Sequence, residues 1–211
     1  MSRNLIVTIM SVLLLCGFAK KDIAAENIKA ELPEAHRSFL GLTLERSTIK
    51  DVKSVFGYSE PWAREDKKHD PFTFCYKLSD SERDVWVIMR FGWAWSFERI
   101  DSVTVTSDKN DVEGKVYETP ISAKSVMTDG GLKLGISLKE AKKLIPGEPQ
   151  VIGNVYKYNY ETYVRYEKPR KPQGDNGFTY IGEYRYGRID FTVEGNEIVR
   201  FHVWASGEPD W

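Results

Sequence analysis

Gly41-Leu42-Thr43-Leu44 and, ninety residues later, Gly131-Leu132-Lys133-Leu134 each introduce a short capped segment: Thr48-Ile49-Lys50-Asp51-Val52-Lys53-Ser54-Val55-Phe56-Gly57 in the first case, Ser137-Leu138-Lys139-Glu140-Ala141-Lys142-Lys143-Leu144-Ile145-Pro146-Gly147 in the second. Thr48 and Ser137 are N-cap residues with an acid three positions on, Asp51 or Glu140, where it complements the N-terminal end of the helix dipole. Ile49, Val52, Val55 and Phe56, like Leu138, Ala141, Leu144 and Ile145, keep the spacing of a single helical face. Gly57 and Gly147 supply C-terminal stops. Two short amphipathic helices follow from this. Leu32 to Leu40, with Pro33 near its start, adds a candidate first helix.

Beyond each helix the hydrophobic period changes from about 3.6 to 2. Phe72, Phe74, Tyr76 and Leu78 alternate with polar or small residues; so do Val85, Val87, Met89 and Phe91, and Ile100 to Thr106 closes with Val103 and Val105. In the second half Tyr156, Tyr158 and Tyr160 alternate, with Tyr163 to Tyr166 either continuing that strand or forming the next edge. Ile189, Phe191 and Val193 alternate up to Gly195-Asn196, a hairpin turn pair, and Ile198 to Trp204 returns. Lys168 to Gly177 has loop composition. The expectation is an α+β protein of two tandem repeats, each a short helical segment packed on an antiparallel β-meander, spanning residues 26–107 and 131–211 and joined by a linker at 108–130.

Composition narrows the function. The 211 residues carry 30 basic and 31 acidic side chains, so the clustered cationic excess of a nucleic-acid or anionic-membrane binder is not expected. Arg3, the apolar stretch Leu5 to Ala19 and the polar boundary Lys20-Lys21-Asp22 have the layout of an export signal, and a stretch of fifteen residues falls short of a bilayer span. Cleavage suits Ala19 or Ala25, the second preferred, which assigns 1–25 to the signal peptide and the rest to the periplasm or exterior. Cys16, at the end of the apolar stretch, is the alternative processing site of a lipid-anchored outer-membrane protein, although Leu15 before it is larger than such sites usually accept. Cys75, the other cysteine, is expected as a small strand residue without a disulfide partner.

The paired "Gly-Leu-x-Leu, short capped helix, Gly, strands" pattern, over roughly 38–107 and 128–206, resembles the β-lactamase inhibitory protein and the related small outer-membrane assembly lipoproteins of the SmpA/OmlA type. The resemblance implies two repeats forming a concave sheet that grips another protein. This chain lacks the cysteine pairs of the inhibitory protein, and no inhibitory residue matches individually, so β-lactamase is not carried over as a target.

No HExxH, P-loop, GxSxG or dinucleotide-type glycine motif occurs. His36, His69 and His202 are scattered, and the charged run Arg64 to Asp70 has the character of a solvated loop. Asp101 and Asp190 form a carboxylate pair only if the sheet brings them together. No enzyme activity, no metal site and no cofactor are expected. Strand parity supplies the binding candidates: with Val199, Phe201 and Val203 toward the helices, Ile198, Arg200, His202 and Trp204 point the other way, as do Trp86, Ile88 and Arg90 opposite Val85, Val87, Met89 and Phe91. Trp86, Arg90, Arg200, His202 and Trp204 are therefore the expected protein-contact residues, since Trp and Arg dominate interface hot spots. The competing reading buries these side chains against the other repeat, the linker or the tail at Trp211. Trp93 and Trp95 belong to a hairpin tip. The leading function is an exported, non-enzymatic protein-binding module whose partner the sequence does not name; an envelope-assembly or structural lipoprotein, and a small-ligand carrier or enzyme, are the alternatives.

Overall fold

The computed structural model describes residues 30–62, 72–79, 83–92, 99–170 and 179–210. The expected signal peptide with Cys16, the charged run with His69, the tip Trp93 and Trp95, and Trp211 lie outside the described residues. The described chain is mixed α and β and mostly sheet.

Its helices are short and locally encoded. α1 (Glu34–Arg37) is a single turn begun by Pro33. The expected helix to Leu40 is cut short because Ser38 turns extended and enters a two-residue hairpin. There β1 (Ser38–Phe39) pairs with β2 (Leu42–Thr43) through Leu40 and Gly41, at φ 50° and 77°. Two consecutive left-handed residues match the twist of a tight hairpin. α2 (Ile49–Phe56) starts at the expected N-cap Thr48, and Asp51 completes a capping box with it: Asp51 N–H donates to Thr48 Oγ1 at 3.4 Å, and Thr48 N–H to Asp51 Oδ2 at 2.8 Å. α3 (Leu138–Leu144) repeats it with Ser137 and Glu140. Gly57 closes α2, but α3 stops at Ile145, before Gly147, because Pro146 disfavours helical backbone in the residue preceding it.

The strands are β3 (Phe72–Ser79), β4 (Trp86–Phe91), β5 (Ile100–Thr106), β6 (Val116–Ser122), β7 (Gln150–Ile152), β8 (Val155–Arg170), β9 (Tyr180–Glu194) and β10 (Glu197–Asp210). They form one sheet in the order β6-β3-β4-β5-β10-β9-β8-β7, antiparallel except for β3–β6. Its centre is the β5–β10 ladder, Val105 opposite Phe201 and Val103 opposite Val203. Gly195 and Asn196, at φ 56° and 75°, make the expected β9–β10 hairpin. Tyr163 to Tyr166 continues β8, which also takes in Lys168 to Arg170 from the expected loop.

The segment expected as a linker, 108–130, is structured. It holds a 3-10 turn at Lys109–Asp111, the edge strand β6 and a second 3-10 turn at Ala123–Ser125, and it buries Val126 and Thr128. β6 escapes sequence reading because an edge strand is paired on one side only. Its alternation is weak, and it tolerates Pro120.

One face of the sheet carries the helices and the core. Phe74, Tyr76, Val87, Met89, Val103, Val105, Phe201, Val203, Ile189 and Phe191 form a single buried cluster with Val52, Phe56, Ala141, Ile145, Leu42, Leu44 and Leu132. Phe56 stacks on Tyr76 at 4.8 Å between ring centres. His36 ties the layers together: its Nε2–H donates to the Leu144 carbonyl at 3.0 Å, at the end of α3, while Nδ1 lies 3.0 Å from Thr128 Oγ1. Gly130 packs against that imidazole so closely that a Cβ would overlap it. Parity fails at one place. A bulge between Ile198 and Arg200 turns Ile198, expected on the opposite face, into the core with 1% exposure.

Phe201 sits in the middle of this core at the central ladder. Phe201→Ala is expected to lower unfolding free energy by about 3–5 kcal/mol, measured by denaturant titration; a loss below about 1 kcal/mol would contradict the packing described.

Candidate functional site

The antiparallel registers place the five expected contact residues on one face, in three adjacent cross-strand rows. Trp86, Thr106 and Arg200 form the first row, ending on Thr192 of β9. Ile88, Thr104, His202 and Asp190 form the second, with Cys75 and Lys157 at its ends. Arg90, Ser102, Trp204 and Arg188 form the third. This is the face away from the helices. Sequence parity is correct in bringing these side chains together; their exposure differs from the expectation.

Trp86 is buried, 6% exposed, in a second small cluster with Cys75 and Ile88, against which Val112 packs. His202 is buried as well, at 7%. Neither presents the open surface expected of it; at Trp86 the segment after β5 folds back onto this face and brings Val112 against the cluster. Thr106 Oγ1 donates to Asp111 Oδ2 at 2.7 Å, and Arg200 Nε donates to the same oxygen at 3.1 Å. Arg200 also donates through Nη1 to Asp190 Oδ1 at 2.9 Å, and Arg188 Nε stands 3.0 Å from Asp190 Oδ2 as an ion pair without hydrogen-bond alignment. Arg200 is thus a bridge between two carboxylates, one of them nearly buried. Arg90 is exposed, Trp204 half-buried, and Arg188 keeps 42% of its side chain in solvent. Among the described residues Arg90 has no ion pair.

His202 Nδ1 lies 2.8 Å from Thr104 Oγ1 across the β5–β10 ladder. Burial pushes the imidazole down to about 4; Asp190 opposes the shift, and Arg188, Arg200 and Arg90 reinforce it. The ring is neutral at physiological pH. The same burial pushes the Cys75 thiol up to about 12, which makes it a poor nucleophile.

Arg188 and Asp111, which the sequence does not single out, and Asp190, considered there only as a carboxylate partner for Asp101, complete the site. Counting back from the Gly195–Asn196 turn pairs Asp190 with Phe201, and only the bulge before Arg200 moves it opposite His202. Asp111 lay in the presumed linker. Asp101 sits at the β4–β5 irregularity, three residues along β5 from Thr104, so it does not join Asp190 as a carboxylate pair. Among the described residues no group of three or more His, Cys, Asp or Glu could hold a metal, and no helix is long and apolar enough to cross a membrane.

Comparison with family models, with curated proteins and with solved structures finds no match to this chain.

Two consequences are measurable. The folded protein binds a proton at His202 far less readily than the unfolded chain does. The stability this confers is present above about pH 6.5 and is lost as pH falls toward 4, by on the order of 3 kcal/mol. Denaturant unfolding at steps across that window is expected to show the decline, and His202→Gln to flatten it; an equal slope in both proteins contradicts the assignment. Thiol labelling of native protein with a disulfide reagent at pH 8 is expected to leave Cys75 unmodified until denaturant is added, whereas rapid labelling of the folded state contradicts the burial described.

Proposed function

We propose that the chain is an exported, non-enzymatic protein-binding module of two tandem α+β repeats, 26–107 and 131–211, which grips another protein through the helix-free face of its sheet. The repeat reading is supported by the two matching capping boxes and by the strand order, in which β3-β4-β5 and β8-β9-β10 run outward from a central ladder between the last strand of each.

The observation that carries the binding reading is the third row, Arg90–Ser102–Trp204–Arg188, which crosses four strands from both halves of the chain. An amphipathic ring with one guanidinium group beside it and a second at the far end of the row offers contact area at low entropic cost together with planar hydrogen-bond donors. Arg200, His202 and Trp86 stand in the neighbouring rows of the same face. They brace the sheet beside that row, Arg200 by holding Asp190 and Asp111, Trp86 by packing on Ile88 and Cys75. The five residues expected from strand parity therefore divide into surface contacts, Arg90 and Trp204, joined by Arg188, and supports, Trp86, Arg200 and His202.

A paired experiment separates the two roles. Arg90→Ala with Trp204→Ala is expected to stay within about 1 kcal/mol of the parent stability while abolishing capture of a partner from periplasmic or secreted extract. Trp86→Ala is expected to lose about 3 kcal/mol or more of stability. Equal capture by the parent protein and a folded Arg90→Ala, Trp204→Ala variant sinks the proposal for this face.

A further inference from the structure

β8 is paired with β9 in unbroken register as far as Arg165, but on its other side it meets β7 only as far as Lys157, opposite Gln150. The direction of its backbone groups follows from the ladder. Val193 N–H donates to the Asn154 carbonyl at 3.0 Å, and bonded pairs alternate along antiparallel strands. Even-numbered residues of β8 therefore bond to β9, and odd-numbered residues turn their N–H and C=O outward, as Val155 and Lys157 do toward β7. Asn159, Glu161 and Arg165 aim those groups at an edge that, among the described residues, no strand occupies. A long edge of this kind invites pairing with another chain, and natural proteins usually blunt it.

We infer that this edge is the contact between two copies of the chain, paired antiparallel, β8 against β8, about a two-fold axis at Tyr163. β7 closes one end of the free edge at Lys157, and at the other end the β8–β9 register breaks between Arg165 and Arg170. A symmetric pair centred on Tyr163 keeps Glu161 to Arg165 of both copies within the regular stretch and clear of β7. The same register sets Glu161 of each copy directly opposite Arg165 of the other, two opposite-charge pairs on the helix-free face, and Thr162 opposite Val164 on the other side. Shifting the axis by one residue to Val164 would place Glu161 against Glu167. Neither Glu161 nor Arg165 has an ion pair within its own chain among the described residues. The charges that keep unrelated strands off this edge are thus arranged to accept a copy of themselves. The pairing extends the eight-stranded sheet across the dyad and sets two helix-free faces side by side, so it holds whether or not the binding role proposed for that face is correct.

Sedimentation of the purified protein is expected to show a concentration-dependent dimer. Glu161→Arg and Arg165→Glu, each replacing attraction by repulsion at two symmetric pairs, are each expected to weaken that dimer by about tenfold. Mixing the two variants is expected to restore it, as is combining both changes in one chain, because every facing pair is then opposite in charge again. Amide exchange at Glu161 and Arg165 is expected to slow with dimerisation. The dimerisation readouts do not use the Arg90–Trp204 surface, so failure here and failure of the binding role are separable. A protein that stays monomeric across the accessible concentration range overturns the inference and leaves the edge to a strand from a different protein. A dimer indifferent to the charge exchange, or one whose Glu161 and Arg165 amides are not protected, overturns it equally.

Discussion

The ladder between β5 and β10 is the contact on which the rest depends. It joins segments about a hundred residues apart, Thr106 to Arg200 at one end and Ser102 to Trp204 at the other. Its two faces serve different ends. Toward the helices it presents Val103, Val105, Phe201 and Val203 to a core shared by α2 and α3; on the opposite face it presents Thr104 and Thr106 against His202 and Arg200. Without this pairing β3-β4-β5 and β8-β9-β10 would each expose an edge strand and half a core. The closing cost of so long a loop grows only with the logarithm of its length, which burying one continuous apolar layer readily offsets.

The polar face is organised around compensation. Asp190 is nearly buried, and a lone carboxylate there would be costly; Arg200 donates to it and Arg188 lies beside it, while Arg200 reaches on to Asp111 and draws the segment after β5 onto the sheet. That segment in turn places Val112 against Cys75, Trp86 and Ile88. The sheet face away from the helices thus acquires its own small apolar cluster.

How much of this was legible in the sequence follows from the range of the interactions. Helix caps are local, so Thr48 with Asp51 and Ser137 with Glu140 mark the starts of α2 and α3 correctly. Alternation is local too: β3, β4 and β5 were placed to within a residue or so, as were the Gly195–Asn196 hairpin and the common face of the five candidate residues. What failed needed partners distant in sequence. β6 forms only because β3 has an open parallel side, and its own pattern, with Val116 exposed and Pro120 inside, gives no sign of it. The bulge before Arg200 carries no composition signal, yet it decides that Ile198 joins the core and that Asp190 faces His202. Burial was the least legible quantity: Trp86 and Arg90 share one strand face four residues apart, yet Trp86 packs under Val112 of the segment that folds back after β5 while Arg90 is exposed.

The two sides of the sheet also differ in how they limit change. On the helix side, tolerance is set by volume, since Phe56, Tyr76, Phe201 and Phe191 interlock and any smaller side chain leaves a void. On the other side it is set by charge and hydrogen-bond count. Replacing Arg200 leaves Asp190 and Asp111 each short of a cation, and replacing Asp190 leaves Arg188 and Arg200 facing each other beside a neutral imidazole. Residues of this second kind respond to acid before those of the first kind do, because protonating His202 adds a positive charge to a site already holding two guanidinium groups around a single buried carboxylate. Acid should therefore loosen the helix-free face first and the aromatic core only afterwards, the order dictated by which face stores its stability in charge.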